Sequence, residues 1–74
     1  MRKTEGALRA RKIKEKTIFR ENFLFYDILI CQDICFEQCD LKGLRISGEN
    51  VVFINCTFEG CDIQITNMHM RYTL

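Results

Sequence analysis

The chain has no proline, no tryptophan, four glycines and one histidine among its 74 residues. Each scarcity removes a class of function. With His69 alone, and no Ser or Cys placed beside it by any local motif, nucleophile–base pairing has no support. Gly43 and Gly48 occur singly, so there is no glycine-rich loop to cradle a phosphate. The longest apolar stretch, Phe23 to Cys31, is interrupted by Asp27 and falls far short of the ~20 residues that span a bilayer. The N-terminus is charged and lacks an apolar h-region with a small-residue cleavage site. The expectation is a soluble cytoplasmic protein, not an enzyme, with no cofactor and no membrane partner.

Cysteine is present but in the wrong pattern for a site. Five is an odd number, and without a secretory signal a closed disulfide framework is not expected. Cys31, Cys35 and Cys39 are spaced by four and Cys56 and Cys61 by five, with no CxxC. Zinc ligands usually enter from tighter turns, so no metal is assigned. The expected role is that of small buried apolar side chains.

Charge divides the chain. Residues 1–22 hold eight Lys/Arg against three Glu, and residues 23–74 hold three Lys/Arg against seven Asp/Glu. A basic head therefore precedes a mildly acidic body. In the head, residues 1–17 predict a helix, with Thr4 as N-cap and mostly good helix formers from Ala7 to Lys12. Two units follow: a basic helix or cap over 1–22, and a repeat body over 23–74.

The body has a period of five. Stepping from Tyr26 gives Cys31, Phe36, Leu41 and Ile46. After a two-residue insertion near Glu49–Asn50 the series resumes at Phe53, Phe58, Ile63 and Met68, and all nine centres are apolar. Two residues before each centre stand Leu24, Leu29, Ile34, Cys39, Leu44, Val51, Cys56, Cys61 and Thr66, eight of them apolar. Gly43, Gly48, Asn55 and Gly60 collect where the chain must turn. A period of five fits neither a helix nor a flat strand. It fits a short extended face followed by a corner, repeated so that stacked coils bury a shared interior. The expected core is Phe36, Cys39, Leu41, Leu44, Ile46, Val51, Phe53, Cys56, Phe58, Cys61 and Ile63. A rival reading places a helix within residues 24–38, where Leu24, Ile28, Cys31, Cys35 and Cys39 fall near one face.

Cys39-Asp40-Leu41, Cys56-Thr57-Phe58, Cys61-Asp62-Ile63 and, more weakly, Thr66-Asn67-Met68 resemble the unit of the pentapeptide-repeat family, roughly A-(D/N)-L-x-x. The resemblance covers about residues 24–70. It implies a mainly β fold: a right-handed quadrilateral β-helix of about two coils, here with an N-terminal α-helix. It also brings in the family's long acidic members, which look like duplex DNA and occupy the DNA site of gyrase. A net of −4 over two coils is too little for that role, so a DNA mimic is the lesser alternative.

Binding is the expected function, with a protein partner preferred. Met68, Met70, Tyr72 and Leu74 alternate with polar residues in a tail strand with one apolar face. That strand either caps the last coil or pairs two copies as a homodimer. Nucleic acid is the alternative partner, through Arg9, Arg11, Lys12, Lys14 and Lys16. No aromatic side chain interleaves this basic run to stack on bases.

Overall fold

The computed structural model describes residues 8–71. Four ten-residue strands follow one another: β1 (Ala10–Phe19), β2 (Ile28–Glu37), β3 (Arg45–Ile54) and β4 (Asp62–Arg71). They form one parallel sheet in chain order. Parallel neighbours with no helical crossover require the chain to wind back to its starting edge each time. The result is a β-solenoid of about four turns, with Leu29 on Ile46 on Ile63 and Phe36 on Phe53 on Met70.

Two expectations are corrected. The predicted N-terminal helix is absent from the described residues, and β1 takes its place; Met1 to Ala7 lie outside the description. The reason is burial. Ile13 stacks on Cys31 and Ile18 on Phe36, both nearly sealed from solvent. A free helix would leave these side chains unpaired, and tertiary packing overrides modest helical propensity. The predicted two coils also become four turns, because β1 and β4 both join the stack. Residues 28–37 are strand, which settles the rival helical reading against itself.

The period of five survives inside each coil, but the coil does not close on four pentads. Ala10 pairs with Ile28 and Ile28 with Arg45, giving coils of 18 and then 17 residues. From Leu29 the inward positions run Leu29, Cys31, Ile34, Phe36, Cys39, Leu41, Leu44 and Ile46, all buried. These alternate by two and three. At Ile46 to Gly48 the step is two again, so the 17-residue coil is three pentads and a two-residue link. The insertion near Glu49–Asn50 is therefore the regular seam between coils. It recurs one coil later, which puts Met68 over Val51 and Met70 over Phe53 and leaves Thr66 exposed. The reading of Met68 as a pentad centre is corrected by one seam. Leu24 is likewise not inward; it and Phe25 sit exposed on the turn from Phe23 to Tyr26.

Corners are made by left-handed backbone. Glu15, Asp33, Asn50 and Asn67 all have positive φ and stack at the bend within each strand. Asn and Asp tolerate that region better than most residues. Their side chains also tie the coils together: Asn67 Nδ2 donates to Asn50 Oδ1 at 2.8 Å, and Asn50 Nδ2 to Asp33 Oδ1 at 3.0 Å. Arg20, Gln38 and Asn55 repeat the device just after the strands. Asp40 starts the following turn: its Oδ1 accepts from Lys42 N–H and from the Thr57 hydroxyl of the next coil, each at 3.1 Å.

Gly43 and Gly48 separate two reasons for glycine. Both have positive φ, but a Cβ on Gly43 would meet nothing within 4 Å, whereas one on Gly48 would lie 1.8 Å from the Cys31 carbonyl oxygen. Gly43→Ala should cost about 1–2 kcal/mol from backbone strain alone. Gly48→Ala should cost about 3 kcal/mol or more, because the coils must also separate. Urea unfolding of both variants checks the order, and equal losses would contradict the stacking at Gly48.

Candidate functional site: the open last coil

The two ends of the stack are built differently. In the first coil three inward positions carry polar residues, Arg11 against Leu29, Lys16 against Ile34, and Glu21 at the place of Cys39. Arg11 closes this end. Its guanidinium lies 5.7 Å from the ring centres of both Phe23 and Tyr26, and Arg11 Nη1 donates to Glu21 Oε2 at 2.9 Å. A guanidinium is suited to this because it stacks flat on a ring while keeping its edge hydrogen-bonded. The edge of β1 that no described strand pairs carries Lys12, Lys14 and Lys16, charges that discourage edge-to-edge pairing.

The other end has no such plug among the described residues. Ile63, Ile65, Met68 and Met70 are the inward residues of β4. Beneath them Ile46, Val51 and Phe53 are fully buried, while Met68 and Met70 remain 38% and 43% exposed. Phe53 itself is held between Phe36, stacked at 5.4 Å, and Phe58, edge-on at 4.9 Å. An apolar layer is thus well supported from below, and no described residue covers it above. The outer rim of β4 is polar, with Asp62 near its start, His69 and Arg71 near its end, all exposed. Asp62 lies 3.8 Å from Arg45 across exposed surface.

The residues read from the sequence distribute as follows. Met68 and Met70 fall on this open face; Tyr72 and Leu74 lie outside the described residues. Arg9, Lys12, Lys14 and Lys16 are exposed on the first coil, while Arg11 is engaged as the plug. Phe36, Cys39, Leu41, Leu44, Ile46, Val51, Phe53 and Cys56 are buried. Phe58, Cys61 and Ile63 are half-buried. Ile65 was missed, because the second seam moves it into the inward phase. The Arg11 plug was missed too, since a basic residue in a basic head carries no local signal of burial.

The cysteines serve the coil corners. Cys39 Sγ reaches the carbonyls of Ile18 and Glu37 at 3.5 Å, and Cys56 Sγ those of Phe36 and Ile54 at 3.4 Å. Cys61 Sγ donates to the Leu41 carbonyl at 2.8 Å. In each case the thiol bonds to the coil beneath. Burial pushes the thiols of Cys39, Cys56 and Cys61 upward and that of Cys31 up to about 11. They act as protonated donors and packing atoms, not as nucleophiles. Among the described residues no three His, Cys, Asp or Glu side chains gather as a metal-holding group. No helix among them is long and apolar enough to cross a membrane. No protein-family model, curated protein or solved structure matches the chain.

The thiol environment has a pH consequence. A group whose folded pKa is raised keeps its proton while the unfolded chain loses it, so stability falls as pH rises between the two values. For Cys31 that window runs from the ordinary value of 9.0 to about 11. Urea midpoints should decline across this range, and Cys31→Val should flatten the decline. In native protein at neutral pH, Cys31, Cys39 and Cys56 should resist iodoacetamide while all five cysteines label in denaturant. Fast native labelling of these three, read by peptide mass spectrometry, would contradict their placement.

Proposed function

We propose that this chain is a non-enzymatic protein-interaction module, a short solenoid whose apolar last coil is the docking face and whose mildly acidic body supports it. The observation that carries the reading is the asymmetry of the ends. One is closed by Arg11, Glu21 and a lysine-bearing edge; the other presents Ile63, Ile65, Met68 and Met70 in one continuous layer. Exposed apolar patches of this kind, rimmed by polar residues, mark interaction surfaces. Methionine suits such a face because its flexible thioether adapts to a partner's shape. Chemistry has little to work with here. His69 is exposed on the outer face of β4, and the carboxylates Asp27, Asp33, Asp40, Glu49, Glu59 and Asp62 are exposed along the outside.

The chain is best understood as a degenerate, pentapeptide-repeat-like coil, right-handed and four-cornered by resemblance, in which one pentad is cut to a two-residue link. Its support is the rhythm of five held through three pentads per coil, and Asp40 serving the turn that the family's Asp/Asn position implies.

A photo-crosslinking residue at position 68, installed in cells, tests the docking face. It should capture a protein, whereas the same residue at Glu59, on an exposed turn, should not. Absence of any capture at position 68 removes the reading.

A second reading rests on the first coil, where residues 8–22 hold six Lys/Arg against two Glu. Such a strip would bind nucleic acid by counterion release, without sequence preference. It predicts an electrophoretic shift of random duplex at low salt that disappears near 200 mM and weakens on Lys12→Glu/Lys14→Glu. No shift at low salt ends it.

A further inference from the structure

We propose that the first coil attaches the protein to an anionic membrane surface. The Leu24–Phe25 turn is the part that enters the lipid, and the basic residues beside it meet the headgroups. The inference goes beyond the docking face at the other end of the stack and does not depend on it.

One turn occurs three times, so its three versions can be compared. Tyr26 N–H donates to the Phe23 carbonyl at 3.0 Å, Leu44 N–H to that of Leu41 at 3.2 Å, and Cys61 N–H to that of Phe58 at 3.0 Å. Asn22 and Asp40 brace the first two from the same place, each accepting from the N–H two residues on, Leu24 at 3.4 Å and Lys42 at 3.1 Å. The tip residues are Leu24-Phe25, then Lys42-Gly43, then Glu59-Gly60. In the later coils a charged residue and a glycine of positive φ are enough to make the turn. In the first coil the same tip carries two large apolar side chains, 83% and 73% exposed. Neither belongs to the core, which this corner feeds through Phe23 and Tyr26.

A third apolar side chain joins them. Leu8 is 60% exposed and precedes Arg9, whose carbonyl accepts from the N–H groups of Asp27 and Ile28 at 2.8 and 3.2 Å. That pairing sets Leu8 beside the chain as it leaves the turn. Leu24, Phe25 and Leu8 are the three most exposed large apolar residues among those described, and all three sit at one corner of one coil.

Charge selects the occupant. Arg9 and Lys42 are exposed beside the tip, Arg11 lies over the Phe23 and Tyr26 rings, and Lys12 and Lys14 continue along the same coil. The nearby acids are engaged. Glu21 pairs with Arg11, Asp27 accepts from the Arg9 N–H, and Asp40 accepts from the Lys42 N–H and the Thr57 hydroxyl. A convex apolar tip set among cations fits a surface that is negative outside and apolar beneath, which is an anionic bilayer. Nucleic acid would engage the cations but leave Leu8 and Leu24 without a use, since base stacking is the work of aromatic side chains. No spanning segment is needed, because the tip enters only the boundary between headgroups and acyl chains. An apolar insert or a basic patch alone holds weakly, and the two together give stable attachment.

The chain has no tryptophan, so Phe25→Trp provides a single reporter. On phosphatidylcholine vesicles containing about one third phosphatidylserine its emission should shift to the blue. Glu59→Trp, at the same turn two coils on, should show no shift. In flotation the full chain should bind these vesicles and not phosphatidylcholine alone. Leu24→Lys/Phe25→Gly installs the pair that the second coil already carries, so the turn should still form and the β circular dichroism spectrum should be kept. Its vesicle binding should fall about tenfold or more despite the added positive charge. Lys12→Glu/Lys14→Glu should lower binding by about tenfold as well, and added salt should weaken it. No binding to anionic vesicles, equal binding to neutral ones, or binding indifferent to the Leu24/Phe25 exchange overturns the proposal. An unshifted Phe25→Trp emission does the same. An electrophoretic shift of duplex without any vesicle binding assigns the cations to nucleic acid and likewise overturns it.

Discussion

Everything in this molecule depends on one coil lying on the next. No coil of 17 residues can bury its own inner face, because its seven inward side chains point into a space that only neighbouring coils can fill above and below. Nearest-neighbour stacking is the source of stability in all solenoids, and here it operates column by column. Ile18, Phe36, Phe53 and Met70 form one column; Lys16, Ile34, Val51 and Met68 form another. Burial in each column is complete only in the middle coils. Phe36, Phe53, Ile46 and Val51 have no exposed surface; in the last coil Met70, Ile63 and Met68 are more open, and in the first coil Arg11 and Lys16 are polar while Ile18 stays buried.

The corners follow from the same demand. To keep seven inward side chains in register, the chain must bend at matching places in every coil. It does so with stacked left-handed residues rather than with proline. Asp33, Asn50 and Asn67 make the bend and link the coils with side-chain amides, so the conformation that permits the corner also ties it to its neighbour. The cysteine thiols do comparable work one corner later, donating to carbonyls of the coil beneath. Gly48 is the opposite case, a place where the coils approach so closely that no side chain fits.

How much of this was legible in the sequence depended on whether inward positions were apolar. From Leu29 to Ile63 they nearly all are, and the rhythm of two and three could be read directly from residues such as Leu41, Leu44 and Ile46. The seam could be seen at Glu49–Asn50 but looked like an irregularity, since one occurrence cannot show that it recurs with every coil. Local propensity over residues 1–17 favours a helix, and the first coil is hidden because Arg11, Lys16 and Glu21 occupy inward positions. They break the apolar series that Ile13, Ile18 and Phe23 would otherwise have announced. Such polar residues suit a coil with no neighbour beyond it among the described residues, which presents polar groups to water. The open face at Met68 and Met70 was visible as an apolar stripe. Its meaning as the uncovered end of a buried column was not, because the column is assembled from residues 17 positions apart.

The most direct test of that stacking is a set of nuclear Overhauser contacts in the intact protein. Stacked coils require side-chain contacts between residues 17 apart: the Phe36 ring against the Phe53 ring, Leu29 against Ile46, and Ile34 against Val51. Strand-type backbone contacts are expected from Ala10 to Phe19 as well. Contacts of Leu29 to the region of Glu49, four full pentads on, or a helical ladder of sequential amides through Ile13, would contradict it.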